Sequence, residues 1–446
     1  MKKFWKTISC LAAAAFLAVS LPVSAYASDP LTNYLTDWPQ MDDIGQDYAV
    51  VMDAENGAIL YSLNRNDEAY PASITKIMTC LLVLENTEMD EIVTMSEAGL
   101  HEAYSGSSNI NPQMGEEFTV EQCLYMLMLK SANDVAAQLA EHVAGDVDDF
   151  VDMMNERAEE LGCEHTHFNN PNGLPDEDHY TCCEDMARIM RDALQNETFR
   201  EVIHTQRYVI GPTNMTDGSR VYDNHNALIM EDDDRYFEDC IGGKTGYTDS
   251  AWRTLVESAE LDGMTLISVQ MHGPTNDDFN DAVELLEYGF DNFERIGIDE
   301  ETDGGRFTGS VTVPEDFSLE DLDYEEDENA DGDPVRYYSY EDVPVGYAVF
   351  EKTEEQEPEE TAAAVTDEET DGDDGGEGSG EDTLTRSADT DDGAEDKEPA
   401  ITSTTLALFV LVMLSLIFVA LRVLAVHLRR QKRRREELEE KYYRDR

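Results

Sequence analysis

The chain has 446 residues and a net charge of -67, with 98 acidic residues against 31 lysines and arginines. This charge excludes a nucleic-acid-binding protein, whose contacts to phosphate require a basic surface. A hydrophobic fraction of 41% excludes a wholly disordered chain. Seven cysteines are too few for a disulfide scaffold at this length and have no metal-ligand spacing, so we expect neither a metal nor a cofactor.

The first 27 residues are typical of a secretory signal peptide. Three early lysines precede an apolar run from Ile8 to Leu21, and small residues follow up to Ala27. A first membrane helix is the alternative, but the run is shorter than the roughly 20 residues that a bilayer requires. We therefore expect the mature chain to begin at Ser28, with a leader segment over residues 28–44.

A β-hairpin is predicted where the leader ends. Residues 48–53 and residues 58–63 alternate or run apolar on either side of Glu55-Asn56-Gly57. This pattern predicts a strand, a tight turn and a second strand. A β-sheet is therefore expected to begin at Tyr48.

A helix that carries a serine and a lysine is predicted next. It opens at Pro71, and its apolar residues recur at helical spacing from Ile74 onwards. Ser73 and Lys76 are three residues apart and share a face. A lysine that is held neutral can take the proton of a serine hydroxyl, which is otherwise a poor nucleophile. Taken alone, the pair is more often a helix cap and a surface lysine.

Two further polar motifs follow at long separations. Ser131-Ala132-Asn133 lies between two helix-like apolar runs, where its side chains can pass a proton and bind a peptide bond. Residues 241–248 read as a strand whose glycines let another backbone lie close to it. On that strand, Lys244 and Thr245 could bind a carboxylate.

These three motifs, Ser-x-x-Lys, Ser-x-Asn and Lys-Thr-Gly in this order, are the signature of the penicillin-recognising serine enzymes. The chain resembles the D-alanyl-D-alanine carboxypeptidases of the low-molecular-mass penicillin-binding protein group from about Trp38 to about Asn292. Other matching stretches are Tyr70-Pro71-Ala72-Ser73-Ile74-Thr75-Lys76, Ser131-Ala132-Asn133-Asp134, Asn170-Pro171-Asn172-Gly173-Leu174-Pro175 and His179-Tyr180-Thr181.

The resemblance implies an α/β (α+β) fold of the penicillin-binding protein and serine β-lactamase type. An antiparallel sheet flanked by helices would join a helical lobe, with the catalytic site at their junction. The catalytic domain would cover residues 45–295. Strand-like pieces at 309–313, 335–340 and 343–350 resemble the small β-rich second domain of the family, which we place at residues 296–350.

The resemblance also implies the chemistry and the residue roles. A peptidoglycan stem peptide ending in D-Ala-D-Ala would be cleaved through an acyl-enzyme, and β-lactam antibiotics would act as inhibitors. Ser73 would be the nucleophile, Lys76 its general base, and Ser131 the proton relay to the leaving amine, in contact with Lys76. Lys244 and Thr245 would bind the terminal carboxylate, and the backbone N–H groups of Ser73 and Tyr247 would form the oxyanion hole. The residues that would bind substrate are Asn133, Lys244, Thr245, Gly246 and Tyr247.

Three positions depart from the family pattern. Gly243 stands where an apolar residue is common, Trp252 stands where a glycine is common, and residues 276–278 are acidic where an arginine supports carboxylate recognition. These changes bear on substrate affinity and on the packing beside the substrate strand. They leave the acylation residues in place.

Other conspicuous side chains have simpler interpretations. The adjacent Cys182 and Cys183, together with Cys80, are predicted to be buried thiols, although disulfides remain open for a protein outside the cytoplasm. Histidines at positions 165 and 167 lack a nearby third metal ligand and are predicted to be structural or surface residues. Lys130 should point away from Ser131 if the stretch is helical, and so reads as a surface or carboxylate-paired lysine.

The C-terminal part predicts a stalk and a membrane anchor. Residues 351–400 hold 21 acids against three bases and cannot bury enough apolar surface to fold, so they form a disordered linker. Residues 404–425 are apolar for the length of a transmembrane helix, and residues 426–446 form a basic tail. Because basic residues stay on the cytoplasmic side, we expect a single-pass cell-membrane protein with an extracellular catalytic domain and a cytoplasmic C-terminus.

Three rival functions remain. A serine β-lactamase shares the motifs, but its Glu-x-x-Leu-Asn pattern is absent from the corresponding residues 170–178. A sensor that binds β-lactams or peptidoglycan without turnover would be expected to carry a cytoplasmic signalling domain, and the tail is too short for one. A transpeptidase or endopeptidase on the same fold would carry the same sequence signals.

Overall fold

The computed structural model describes residues Thr32, Leu35, 37–41, 44–103, 107–273, 278–329 and 332–352. The predicted signal peptide, transmembrane helix and basic tail, and all of the linker except its first two residues, lie outside these ranges. Within the ranges, no helix combines the length and the hydropathy needed to cross a membrane. The described residues belong to one compact unit.

The elements are numbered here in chain order. The strands are β1 (Tyr48–Asp53), β2 (Ile59–Leu63), β3 (Ile92–Thr94), β4 (Glu117–Thr119), β5 (Arg207–Ile210), β6 (Arg220–Asp223), β7 (Cys240–Thr248), β8 (Trp252–Leu261), β9 (Met264–Gly273), β10 (Phe293–Thr302), β11 (Gly305–Pro314), β12 (Asp323–Glu328), β13 (Pro334–Tyr340) and β14 (Val343–Lys352). The α-helices are α1 (Lys76–Asn86), α2 (Glu97–Ala103), α3 (Val120–Leu129), α4 (Asn133–Ala144), α5 (Val147–Glu160), α6 (Cys183–Ala193), α7 (Glu197–His204) and α8 (Asp278–Asn292).

The central sheet has five antiparallel strands in the order β2-β1-β9-β8-β7. The predicted hairpin is confirmed as β1 and β2. Five consecutive residues of β1 are buried, which is typical of a strand covered on both faces, and helices α6 and α8 pack against the sheet. The predicted strand at 241–248 is confirmed as β7, and it lies at the edge of the sheet, where one side of its backbone has no neighbouring strand among the described residues.

The central helix α1 begins later than its apolar pattern indicates. Residues Ala72–Thr75 form a 3₁₀ turn, and the α-helix starts only at Lys76. Ala72 has a φ of 52°, a left-handed value that an α-helix cannot include. The hydroxyl of Thr75 donates to the carbonyl of Ala72 at 2.9 Å and closes the turn. Ser73 therefore lies in a tight turn rather than within the α-helix.

A second antiparallel sheet follows α8, with the order β10-β11-β14-β13-β12. The three predicted strands are confirmed as β11, β13 and β14, whereas β10 and β12 were not predicted. The six residues of β12 are all exposed, and five of them are acidic, so this strand carries no apolar alternation that a sequence reading could detect.

The second sheet is joined to the hairpin of the first by a buried polar cluster. Arg295 donates from Nη2 to both carboxylate oxygens of Asp53, at 2.7 and 2.9 Å. The Asn56 amide in the β1–β2 turn donates to the hydroxyls of Ser310 and Thr312. Asp53 has no exposed surface, so Arg295 and the hydroxyl of Thr312, which also donates to Asp53, compensate a charge that would otherwise be costly to bury.

Candidate active site

The serine and the lysine of the first motif are in contact. Lys76 Nζ lies 3.1 Å from Ser73 Oγ. The same nitrogen donates to Asn133 Oδ1 at 2.7 Å and to the carbonyl oxygen of Asn172 at 2.5 Å. Lys76 has no exposed surface, although it carries an amine. Three elements that are distant in sequence thus converge on one buried nitrogen.

The surroundings of Lys76 favour its neutral form. Burial lowers the pKa of Lys76 well below its usual value, and the charge of Lys244 lowers it further, while Asp134 and Glu102 raise it. A neutral amine beside a hydroxyl can accept its proton. The arrangement is therefore suited to activating Ser73.

The second motif lies between α3 and α4, as predicted. Ser131 has a left-handed φ of 59°, and this turn lets Asn133 start α4. Asn133 binds Lys76 through Oδ1 and donates from Nδ2 to Ser107 Oγ at 2.7 Å. Ser131 Oγ is buried and has no hydrogen-bond partner among the described residues. The expected contact of Ser131 with Lys76 is thus not formed as a hydrogen bond, and Asn133 is the residue of this motif that binds the lysine.

The third motif lies on β7, beside the turn that carries Ser73. A Cβ atom built on Gly246 would be only 2.9 Å from the backbone nitrogen of Ser73 and 2.2 Å from Thr254 Oγ1. The absence of a side chain at Gly246 therefore lets the strand backbone lie directly against the amide of Ser73. Tyr247 follows, with its ring largely exposed, so the two predicted oxyanion donors belong to adjoining backbones.

Lys244 is nearly as deeply buried as Lys76. Its Nζ donates to the carbonyl oxygen of Thr245 at 2.8 Å, and it has only 2% exposed surface. Burial lowers the pKa of Lys244 to about 7, although Glu257 on β8 opposes the shift. Lys244 can thus be charged or neutral near neutral pH, and its charge lowers the pKa of Lys76.

Two of the three departures from the family pattern, Gly243 and Trp252, lie within the described residues. A Cβ atom on Gly243 would be 1.8 Å from the carbonyl oxygen of Val256, so this pairing of β7 with β8 requires a glycine. Trp252 adopts a φ of 55° and stacks on His272, with ring centroids 4.2 Å apart. Of residues 276–278 only Asp278 is described, and it forms an ion pair with Arg253.

Sequence reasoning missed two residues that surround the lysines. The backbone carbonyl of Asn172 binds Lys76. A backbone contact does not depend on residue type, so the only available signal in the sequence was the matching stretch 170–175. Glu257 is fully buried and accepts from the amide of Asn226 at 2.8 Å. The signal that could have identified Glu257 was the presence of an acidic residue inside the apolar stretch of β8.

The remaining conspicuous residues are the cysteines, the potential metal ligands and Lys130. Cys80, Cys182 and Cys183 are buried free thiols, as predicted. Burial raises the pKa of each, which makes them unreactive. The described residues contain no group of three potential metal ligands. Lys130 is half-buried and forms no ion pair with a described acid, so of the two predicted alternatives, a surface lysine or a carboxylate-paired lysine, the ion pair is not found.

A buried lysine beside a serine, flanked by an edge strand with a second buried lysine, defines a serine enzyme of the penicillin-binding protein fold. The chain belongs to the D-alanyl-D-alanine carboxypeptidase family, whose model matches residues 36–275. This membership agrees with the resemblance that the three motifs carry.

Individual relatives support the same assignment. The D-alanyl-D-alanine carboxypeptidase DacF of Bacillus subtilis is 34% identical over 252 residues, which cover 55% of this chain and 62% of DacF. The alignment thus spans less than two thirds of that relative. The solved DD-transpeptidase of Streptomyces K15 is 29% identical, with a TM-score of 0.53 over 57% of this chain and 100% of its own. Penicillin-binding protein 5 of Haemophilus influenzae is 25% identical, with a TM-score of 0.56 over 70% of this chain and 98% of its own.

Proposed function

We propose that the protein is a serine-type D-Ala-D-Ala carboxypeptidase that removes the terminal D-alanine from peptidoglycan stem peptides and is acylated by penicillin. The observation that carries this proposal is the contact of the fully buried Lys76 with Ser73. An amine kept neutral by burial supplies the base that a serine nucleophile requires. By trimming pentapeptides, the enzyme would limit the donors for cell-wall cross-linking.

The reaction would proceed in two acyl transfers. Ser73 Oγ attacks the carbonyl carbon of the D-Ala-D-Ala bond while Lys76 Nζ takes the hydroxyl proton. The negative charge that develops on the carbonyl oxygen is stabilised by the N–H groups of Ser73 and Tyr247. The C–N bond then breaks, and the leaving amine receives a proton through Ser131. Water attacks the resulting ester, regenerates Ser73 and releases the shortened peptide.

The substrate would bind along the free edge of β7. An extended peptide can pair with an exposed edge strand through main-chain hydrogen bonds. Asn133, next to Lys76, would hold the peptide bond from the opposite side. Lys244 and Thr245 would bind the terminal carboxylate, which distinguishes a chain end from an internal peptide bond.

The proposal is tested by incubating the full chain with a D-Ala-D-Ala pentapeptide and, separately, with penicillin. We expect free D-alanine from the peptide and a long-lived adduct of penicillin on Ser73, detected by mass. Rapid penicillin hydrolysis without an adduct would instead indicate a β-lactamase. An adduct without D-alanine release would indicate a binding protein, or a transpeptidase that lacks its acceptor.

A Ser73→Ala variant completes this test. It should lose all covalent labelling by a fluorescent penicillin and keep the fold, because the small side chain leaves the turn at Ala72–Thr75 unchanged. Ser219→Ala is the matched control, since Ser219 lies exposed on the surface. Full labelling of the Ser73 variant would overturn the nucleophile assignment.

We further propose that the catalytic part works outside the cytoplasm and is anchored by residues 404–425. The support is the order of the sequence segments: a signal-like start, an acidic linker, an apolar run and a basic tail. Deleting residues 404–446 should move the protein from the membrane fraction into the medium. Retention of the deleted chain in the membrane would contradict the anchor.

A further inference from the structure

A buried histidine contacts the turn that carries Ser73. The ring of His179 has no exposed surface, and its Nε2 lies 3.0 Å from Thr75 Oγ1. The hydroxyl of Thr75 in turn donates to the carbonyl of Ala72 at 2.9 Å. His179 is thus bonded directly to the 3₁₀ turn in which Ser73 lies, although the proposed reaction gives this histidine no role.

The second nitrogen of the ring shows where the imidazole proton lies. The backbone N–H of Asn169 donates to His179 Nδ1 at 2.9 Å, so Nδ1 carries no proton. The proton of the neutral ring therefore lies on Nε2 and is donated to Thr75 Oγ1. Burial lowers the pKa of His179 to about 4, although Asp176 opposes the shift. At neutral pH the ring is thus a neutral donor with one defined direction.

His179 also closes the loop that supports Lys76. The loop covers residues 169–179, and the bond from Asn169 to His179 joins its first residue to its last. Within the loop, the carbonyl oxygen of Asn172 accepts from Lys76 Nζ at 2.5 Å. The histidine that bonds the Ser73 turn therefore belongs to the same loop as the carbonyl that holds the proposed base.

The loop lies directly against the turn and against α1. A Cβ atom built on Gly173 would be 1.8 Å from the carbonyl oxygen of Ala72. The hydroxyl of Thr79 donates to the carbonyl of Pro171 at 2.6 Å. Because Ala72 has a left-handed φ of 52°, its conformation depends on such surrounding contacts. The turn is thus held from the loop, not by its own backbone alone.

We infer that His179 is a positioning residue for acylation: by donating to Thr75 from the loop that binds Lys76, it fixes the distance between the Ser73 hydroxyl and the Lys76 amine. This inference rests on the proposed function, in which Lys76 takes the proton of Ser73. Proton transfer requires the two atoms to lie within hydrogen-bond reach. A small displacement of either one slows the reaction without changing which groups bind the ligand.

A purely structural role for His179 predicts a different outcome. Its ring also packs against Phe168, with ring centroids 5.7 Å apart. If packing were the whole role, replacing His179 would lower the free energy of unfolding, but the molecules that fold would react at the wild-type rate. The two roles are therefore separated by rate constants measured per folded, acylatable site.

The variants divide the two hydrogen bonds of the ring between them. The side-chain nitrogen of a glutamine reaches the position of Nε2, so His179→Gln can still donate to Thr75. The side-chain oxygen of an asparagine takes the position of Nδ1, so His179→Asn can still accept from Asn169 but does not reach Thr75. Thr75→Val removes the accepting hydroxyl at nearly constant volume. His101→Asn is the matched control, because His101 is an exposed histidine.

The experiment measures acylation of the full chain by benzylpenicillin, followed by mass at a series of penicillin concentrations. The rate constant at saturation and the half-saturating concentration are obtained separately, and the final amount of adduct counts the acylatable sites. We expect His179→Asn to lower the saturating rate constant between about 10- and 100-fold, with little change in the half-saturating concentration. His179→Gln should retain most of the rate, and His101→Asn all of it.

A double variant tests whether the two side chains act through one bond. Thr75→Val should lower the rate less in the His179→Asn chain than in the wild type, because both changes remove the same hydrogen bond. Independent losses that multiply would contradict a shared bond. A wild-type rate for Thr75→Val would overturn the inference even if His179→Asn did not fold.

Three further results decide the inference. A wild-type rate per site in His179→Asn, or equal losses in His179→Asn and His179→Gln, would overturn it in favour of packing. If the wild-type chain formed no adduct, the proposed serine chemistry would be refuted, and the inference with it. If the wild type formed the adduct but released no D-alanine from a peptide, only the carboxypeptidase would be refuted, and the acylation rates would still decide the role of His179.

Discussion

Lys76 Nζ lies 3.1 Å from Ser73 Oγ, and no part of Lys76 reaches solvent. Among the surrounding charges, that of Lys244 disfavours the protonation of Lys76. The pKa of the proposed base is therefore lowered in part from β7. This coupling leads to a prediction about pH.

Lys244→Met should move the acid limb of the acylation rate to higher pH. Removing the charge of Lys244 removes a like-charge repulsion, so the pKa of Lys76 rises and the neutral base forms only at higher pH. The measurement is the rate of acylation by benzylpenicillin methyl ester against pH, because this ligand has no carboxylate for Lys244 to bind. Lys352→Met should leave the profile unchanged, because Lys352 is an exposed lysine at the end of β14. If the acid limb of the pH profile did not shift in the Lys244 variant, the charge of Lys244 would have no effect on the pKa of Lys76.

The glycine at position 246 gives a second prediction. The Cβ of an alanine at position 246 would lie 2.9 Å from the backbone nitrogen of Ser73 and would push β7 away from the Ser73 turn. Gly246→Ala should therefore lower the acylation rate roughly 100-fold, which is the typical effect of losing one oxyanion donor. Gly297→Ala is the matched control, since a Cβ at Gly297 meets no atom within 4 Å. Acylation by a fluorescent penicillin checks both. An unchanged rate for Gly246→Ala would show that β7 and the Ser73 turn move apart without functional consequence.

Much of the site could be predicted because its motifs are short and local. Ser73 and Lys76 are three residues apart, so a single turn fixes their contact. The start of α1 was predicted five residues too early, at Pro71 instead of Lys76, because the left-handed Ala72 carries no signal in an apolar pattern. Two features required the folded chain: the carbonyl of Asn172, which has no residue-type signal, and the hydrogen bond of Asn133 rather than Ser131 to Lys76. Contacts between distant segments depend on tertiary packing, which periodicity does not encode.

The junction of the two sheets gives a prediction about stability. Arg295→Met should lower the free energy of unfolding by about 3 kcal/mol, because it leaves the carboxylate of Asp53 buried without its charged partner. Adding Asp53→Asn to this variant should recover part of the loss, since the uncompensated charge is then removed. Urea unfolding of the wild type, both single variants and the double variant checks this. Strictly additive losses would mean that the two side chains do not interact energetically.

The buried Glu257 gives a prediction about stability and pH. Burial raises the pKa of Glu257 to about 8 from its ordinary value of 4.5, and the amide of Asn226 opposes the shift. The folded chain therefore keeps a proton that the unfolded chain has already lost, and stability falls as pH rises from about 4.5 to about 8. A glutamine at this position has no proton to lose. We therefore compare the free energy of unfolding of Glu257→Gln with that of the wild type at both pH values. The difference in favour of the variant should be more than about 1 kcal/mol larger at pH 8 than at pH 5.

Urea unfolding at the two pH values measures this difference. Glu260→Gln is the control, because Glu260 lies exposed on the same strand and pairs with Arg200 at the surface, where ion pairs contribute little. Its effect should be similar at both pH values. If the advantage of Glu257→Gln were the same at pH 5 and pH 8, Glu257 would have to be ionised in the folded chain throughout this range. A permanent carboxylate beside β7 would then keep Lys244 charged, and the proposed carboxylate-binding site would be insensitive to pH.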